Sequence, residues 1–293
     1  MTELTPPQRI ALCFNHMIQG ADALAHALAH QARDAGREAW CAPLPDHSEG
    51  DTGGFGDNVA ASDLLVCVGG DGTVLHASEH AAPGGTPIFG VRMGRLGFLS
   101  EVTGEEATEG LANVLRGGGR IERRSTVQAH VNDDPIAYAL NDVVIGRSTL
   151  GRTVSVGARV DGVLVAEYRA DAVVLATATG STGYSLSVGG PILHPTSPEL
   201  ILVPVAPHLT RSNALVLPPT SEVHLYVERG HEAVITVDGL HERPLDSGST
   251  VVVSHSDRVV DFVRLGPLSQ FYSNLADRLG WLRADHVLHQ SED

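Results

Sequence analysis

Two rhythms of apolar and polar residues divide the chain. In the first 118 residues, short unbroken apolar runs alternate with longer stretches whose apolar residues recur at helical spacing. Residues 9–14 predict a strand, and the alanine-rich stretch 21–35, closed by Gly36, predicts a helix with a glycine stop. Residues 38–42 and 63–68 read as further strands, 74–82 as a helix, 87–91 as a strand, and 105–116 as a helix broken by Gly117-Gly118-Gly119. Residues 43–58, rich in glycine and acid, read as a loop. Strand and helix alternation predicts an α/β unit with a parallel sheet, whose ligands bind at the carboxyl ends of the strands.

Beyond that point the rhythm shortens. β-like runs end at turn signals: 127–131 before Asn132-Asp133, 153–160 before Asp161-Gly162, 163–168, 222–227, 233–237 before Asp238-Gly239, and 250–254. They predict an all-β region, a sandwich or stacked sheets. A last helical pattern over 269–282 (Phe271, Leu275, Leu279, Leu282) would be an orphan on a β domain. The expected organisation is an α/β domain over 1–118, a β-rich domain over 119–267, and a C-terminal helix within 268–293 returning to the first domain.

Composition narrows the function. With 293 residues, 42% of them apolar, the chain can fill real cores. Cys13, Cys41 and Cys67 are far apart, odd in number and without zinc-ligand spacing, so they read as reduced thiols. With no apolar leader at the amino terminus and no membrane-length run, a cytoplasmic address is expected. A formal net charge of −15 argues against a duplex nucleic-acid binder and against an anionic membrane surface. The chain contains no lysine, so all 20 basic residues are arginine. That excludes a Walker loop and Schiff-base chemistry, and leaves backbone N–H groups, arginine or a metal to meet a phosphate.

The strand at 63–68 runs straight into Gly69-Gly70-Asp71-Gly72-Thr73 and then into a helix. Glycines there allow a sharp turn and close ligand approach, and the helix start favours an anion such as phosphate. A carboxylate in that cradle is repelled by its ligand unless it accepts a proton or steers a metal. A second constellation, Thr177 to Pro191, is dense in hydroxyls and glycines, which can bond a polar heterocycle and its ribose, and Tyr184 can stack on a base. Asn141-Asp142 interrupts an apolar stretch and needs satisfaction from a ligand or a strand-edge bulge. His76-Ala77-Ser78-Glu79-His80 has the form of an inverted zinc-peptidase string, but with 15 histidines in the chain it reads as a solvated helix face.

In order, Gly69 to Thr73, the run Phe89 to Leu99, Leu140-Asn141-Asp142-Val143-Val144, and Tyr168-Arg169-Ala170-Asp171 leading into 176–191 resemble the motifs of the NAD kinases. The resemblance implies ATP-dependent phosphorylation of the adenosine 2′-hydroxyl of NAD, Mg²⁺ carried by ATP with no protein metal ligand assigned, and a homo-oligomer, dimer or tetramer. It makes Asp71 the catalytic carboxylate, and Gly69, Gly70, Gly72 and Thr73, with Arg92, the phosphate and ATP contacts. Asn141 and Asp142 would hold the adenosine end of NAD. Asp171, Thr182, Gly183, Tyr184 and Ser187 would line the dinucleotide groove, with Asp238 nearby. Three positions depart from the family pattern: Asp142 where Glu is frequent, Arg92 where Asn is usual, and Gly183 for a common Ala. A lipid kinase sharing the glycine-aspartate turn, and a non-catalytic dinucleotide sensor, are the alternative readings; the acidic chain offers the first no route to a bilayer.

Overall fold

The computed structural model describes residues 2–46, 54–94, 97–149, 151–208 and 213–281. Four parallel strands stand in the order Glu38–Pro43, Arg9–Phe14, Leu64–Gly69, Ile88–Arg92. Alternation along them supplies two apolar faces. Leu12, Phe14, Val66 and Val68 pack with the helices Ala21–Asp34 and Ala107–Leu115, whereas Ala11, Cys13, Leu65 and Cys67 pack with Phe55–Ala60 and Asp71–Ala81. The three cysteines are free thiols.

The sheet continues into the second half of the chain. The strand Thr250–Arg264 lies parallel to Ile88–Arg92 through Phe262 and Ile88, and antiparallel to Arg120–Val131 along most of its length. Val223–Val227, Val154–Val160 and Val163–Ala170 extend the same sheet, which has twelve strands. A second, wholly antiparallel sheet of six strands runs in the order Leu215–Leu217, Leu200–Val205, Ala172–Ala176, Asp142–Arg147, Ala233–Val237, His241–Leu245. The two sheets share a core that includes Val127, Val156, Leu225 and Val253 from one, and Ile145, Leu175, Leu202 and Ile235 from the other. The fold is a mixed α/β sheet with a parallel core, an antiparallel sheet stacked on part of it, and a C-terminal helix.

The turn residues do what their chemistry predicts. Asn132, Asp133, Asp161, Gly162, Asp238 and Gly239 all have φ between 48° and 80°, the left-handed region that tight hairpins need. Other elements differ from expectation. Part of the stretch read as a loop folds as the short helix Phe55–Ala60, because Phe55 and Val59 bury one turn apart; residues 47–53 lie outside the described residues. The strand expected at 127–131 begins at Arg120, carrying charged residues into the interior. The last helix spans Gln270–Leu279, with Leu282 outside the described residues, and touches both halves: Arg278 stacks on Phe98, and Phe271 meets His194 edge-on.

Candidate active site

The glycine turn is built to be tight. A Cβ on Gly69 would sit 2.4 Å from Thr73 Oγ1, so only glycine lets the strand end against the helix it feeds. Thr73 Oγ1 in turn accepts the Gly70 N–H at 3.3 Å and the Asn15 amide at 3.2 Å. Asp71 opens the helix Asp71–Ala81, where unpaired N–H groups gather. Its Oδ2 accepts the Phe98 N–H at 2.7 Å and its Oδ1 the Leu99 N–H at 3.2 Å, while Arg278 lies 3.6 Å from Oδ2. Gly97 makes this possible, since a Cβ there would fall 1.8 Å from Asp71 Oδ1. Each carboxylate oxygen keeps further lone-pair capacity for a ligand hydroxyl.

The Phe98–Leu99 backbone is braced from its other side. Arg264 donates to Leu99 O at 3.1 Å and pairs with Glu122 and Glu101, each at 3.1 Å. Arg124 pairs with the same Glu122 at 2.8 Å, and both guanidiniums lie over the Phe262 ring. Burial alone would push the Glu122 carboxyl up, but Arg124 and Arg264 together hold it at about 2.

A second cluster forms where three neighbouring strands of the antiparallel sheet meet the same end. Asp142 begins one strand, Ala176 ends the next, and Val237 ends the third; the register pairs Asp142 with Ala176 and Val143 with Val237. Asn141-Asp142 is therefore the crossing from the first sheet to the second. The turn is held by Asp238, whose carboxylate accepts N–H groups from Leu140 and Asn141 at 2.7 Å and from Asp142 at 3.0 Å. Gly180 lies flush on this turn, since a Cβ would come within 2.1 Å of Asn141 O, and Thr177 Oγ1 donates to Leu140 O at 2.5 Å. The Asp142 side chain is buried and, among the described residues, has no hydrogen-bond donor. Burial, then the neighbouring Asp238, push it up to about 7, and burial pushes Asp238 to about 6 against its three N–H bonds.

Gly183 faces Asp142: a Cβ on it would lie 4.0 Å from Asp142 Oδ2. Thr182 and Ser187 return their hydroxyls to the loop backbone, to Thr179 O and Tyr184 O at 3.0 Å each. Tyr184 is 42% exposed and lines an open groove of about 390 Å³ with Val144, Thr236 and Asp171. Asp171, paired with Arg147 at 2.9 Å, stands at the opposite end of the strand Ala172–Ala176 from Thr177, roughly 20 Å away by strand rise. The Arg147–Asp171 pair lines this groove, whose lining does not include Asp142 or Asp238. Arg92 ends the strand beside Gly69 and lines a separate hollow with Met93, Thr103 and Glu105.

The histidine string is used for packing. His80 meets Phe55 edge-on and Glu79 bonds His241 at 2.6 Å; among the described residues no three His, Cys, Asp or Glu side chains gather as a metal site. Asn15, Gly97, Glu122, Arg264 and Arg278 escaped sequence reasoning. The only available signal was Gly97, in a run already marked as a motif.

A helix N-terminus carrying a carboxylate, at the strand ends of a parallel sheet that continues into antiparallel β-structure, is the arrangement of an α/β protein with a place for an anionic ligand. Residues 12–119 match the ATP-NAD kinase N-terminal domain and residues 140–265 the ATP-NAD kinase C-terminal domain, and the chain belongs to this family. It is 42% identical to an NAD kinase of Chloroflexus aggregans over 225 residues, 75% of this chain and 82% of that protein. Its fold is similar to that of yeast NADH kinase complexed with NADH, with a TM-score of 0.82 at 22% identity over 96% of this chain and 90% of that one. An NAD kinase from Archaeoglobus fulgidus in complex with ATP gives 0.76 at 24% identity, covering 94% and 100%.

Proposed function

We infer that this chain is an NAD kinase, phosphorylating NAD to NADP with ATP. The observation that carries the site assignment is Asp71, an acid at a helix N-terminus fixed by two backbone N–H groups. In this reading the amides of Gly69 to Thr73 meet the ATP phosphates, with Arg92 as a further cation. Asn141 and Asp142 hold the adenosine end of NAD, and Asp171, Thr182, Gly183, Tyr184 and Ser187 line its groove. Asp238 acts through the backbone of residues 140–142. The 2′-hydroxyl of the adenosine ribose loses its proton to Asp71 as its oxygen bonds Pγ, and the Pγ–O bond to ADP breaks with the electron pair leaving on ADP. A positioned base of this kind is worth roughly 10²–10⁴ in rate.

Mg²⁺ is proposed as an ion brought by ATP and bound chiefly by phosphates and water, with no protein ligand assigned. When bound it would neutralise phosphate charge. The chain is proposed to work as a homo-oligomer, supported by the apolar edge strand at Val163, Leu164 and Val165, which are 65%, 43% and 42% exposed. No helix among the described residues is long and apolar enough to cross a membrane. Purified protein with ATP, Mg²⁺ and NAD, read through an NADP-specific dehydrogenase beside a parallel lipid substrate, tests the reading. NADP formation supports it; phosphorylated lipid without NADP overturns it.

A further inference from the structure

We propose that Arg278 is the cation that contacts the γ-phosphoryl oxygens during transfer, and that without ATP it rests on Asp71. The proposal builds on Asp71 as the reacting carboxylate. A chain without lysine must neutralise a transferring phosphate with arginine, backbone or metal, and among the described residues Arg278 is the arginine paired with Asp71, 3.6 Å from Oδ2. Arg124 and Arg264 are buried and committed to Glu122 and Glu101. Arg92 lies on the side of Thr103 and Glu106, a carboxyl lowered first by its hydrogen bonds from Thr103 and, to a smaller degree, by Arg92 itself.

Arg278 is held in place while its donors stay available. Its guanidinium lies 4.0 Å from the centroid of the Phe98 ring, which fixes its plane. Among the described residues its N–H groups make no hydrogen bond, because 3.6 Å from Asp71 is an ion pair beyond bonding reach. The two side chains are 34% and 31% exposed, so water competes for their attraction and the contact is weak. A triphosphate offers more charge and the bidentate geometry that guanidinium prefers. On ATP binding the guanidinium exchanges the Asp71 carboxylate for γ-phosphoryl oxygens. That one movement neutralises the group in flight and uncovers Asp71 for the hydroxyl proton. The C-terminal helix thus becomes part of the catalytic apparatus, delivering its arginine to a turn more than two hundred residues away in the chain.

The full-length chain tests this as Arg278→Ala and Arg278→Lys. Arg278→Ala is expected to lower kcat by roughly 10²-fold or more, in the direction of a lost phosphate-contacting arginine. NAD binding by calorimetry and the melting midpoint should change little. Guanidinium ion, well below denaturing concentration, should restore part of the rate, and Arg278→Lys should retain part of it. A second arm needs no turnover: Asp71→Asn frees Arg278 from its carboxylate and should tighten ATP binding, and adding Arg278→Ala should abolish that gain. Near-normal kcat in Arg278→Ala, a loss that guanidinium does not rescue, or equal ATP affinity in Asp71→Asn and the double variant would overturn the proposal. If the wild-type chain makes no NADP, the functional reading falls separately, and the calorimetric arm still decides whether Arg278 holds phosphate.

Discussion

Asp71 and Asp142 are two aspartates housed in opposite ways. Asp71 is 31% exposed, and each of its oxygens takes a backbone N–H, with Arg278 alongside. Asp142 is 8% exposed, has no donor among the described residues, and lies near a second, half-buried carboxylate, Asp238. Backbone N–H groups hold the first carboxylate in a fixed orientation, whereas burial beside another acid suppresses charge on the second. One site therefore presents an oriented carboxylate to a ligand hydroxyl. The other keeps a carboxyl near the border of ionisation, able to give or take a hydrogen bond from a sugar hydroxyl. The same residue type does two jobs because backbone placement, more than side-chain identity, sets its environment.

The contrast is broken most severely at Asp71. Asp71→Asn preserves shape but removes charge and basicity, so kcat should drop by roughly 10²-fold or more, with NAD affinity by calorimetry little changed. Near-normal turnover in a folded variant would move the search for the base to Asp142. Gly97→Ala is the next largest change, because its Cβ would fall 1.8 Å from Asp71 Oδ1 and must displace that carboxylate. Steady-state kinetics should show kcat down by about ten- to a hundredfold, as a misplacement near 1 Å gives; an unchanged kcat would mean the loop yields instead.

Asp142→Asn acts through pH. The folded value of about 7 lies above the ordinary 3.8, so ionising Asp142 opposes folding: its share of stability is full below the ordinary value and is lost as pH rises through about 7. Asn cannot ionise. Melting curves should show the variant gaining on wild type between pH 4 and pH 8 while its KM for NAD rises; a pH-independent difference would place the wild-type carboxyl in an ordinary environment. Gly183→Ala should matter least. Its Cβ meets only ordinary contacts, 3.4 Å from Gly180 O and 4.0 Å from Asp142 Oδ2. Turnover should stay within a few-fold, with any change confined to the choice between NAD and NADH measured side by side.

Local chemistry was legible from residues alone, and long-range closure was not. The strand, glycine turn and helix around Asp71 are specified by neighbours a few residues apart, and so are the hairpins at Asn132-Asp133 and Asp161-Gly162. Asn141-Asp142 stood out as a polar break, but its satisfaction by Asp238 joins positions 96 to 98 apart, which no periodicity reports. Arg120, Glu122 and Arg124 carry no signal in sequence, because charge normally means surface; here they neutralise one another beneath the Phe98–Leu99 backbone. Arg278 is likewise unmarked in sequence, since nothing nearby along the chain points to Asp71.

The strand Thr250–Arg264 carries a consequence for how the molecule comes into being. It is the last strand among the described residues, yet it sits in the middle of the large sheet, between Val223–Val227 on one path and Ile88–Arg92 on the other. Until it emerges from the ribosome, the parallel sheet has an unfinished side at Ile88, and Arg120–Val131 lacks its longest partner. Loop closure across such distances is slow, and open strand edges invite pairing with other chains. A nascent chain stopped before residue 250 would hold the phosphate turn and the groove in sequence, but would expose sticky edges to chaperones and neighbouring chains in place of a finished enzyme.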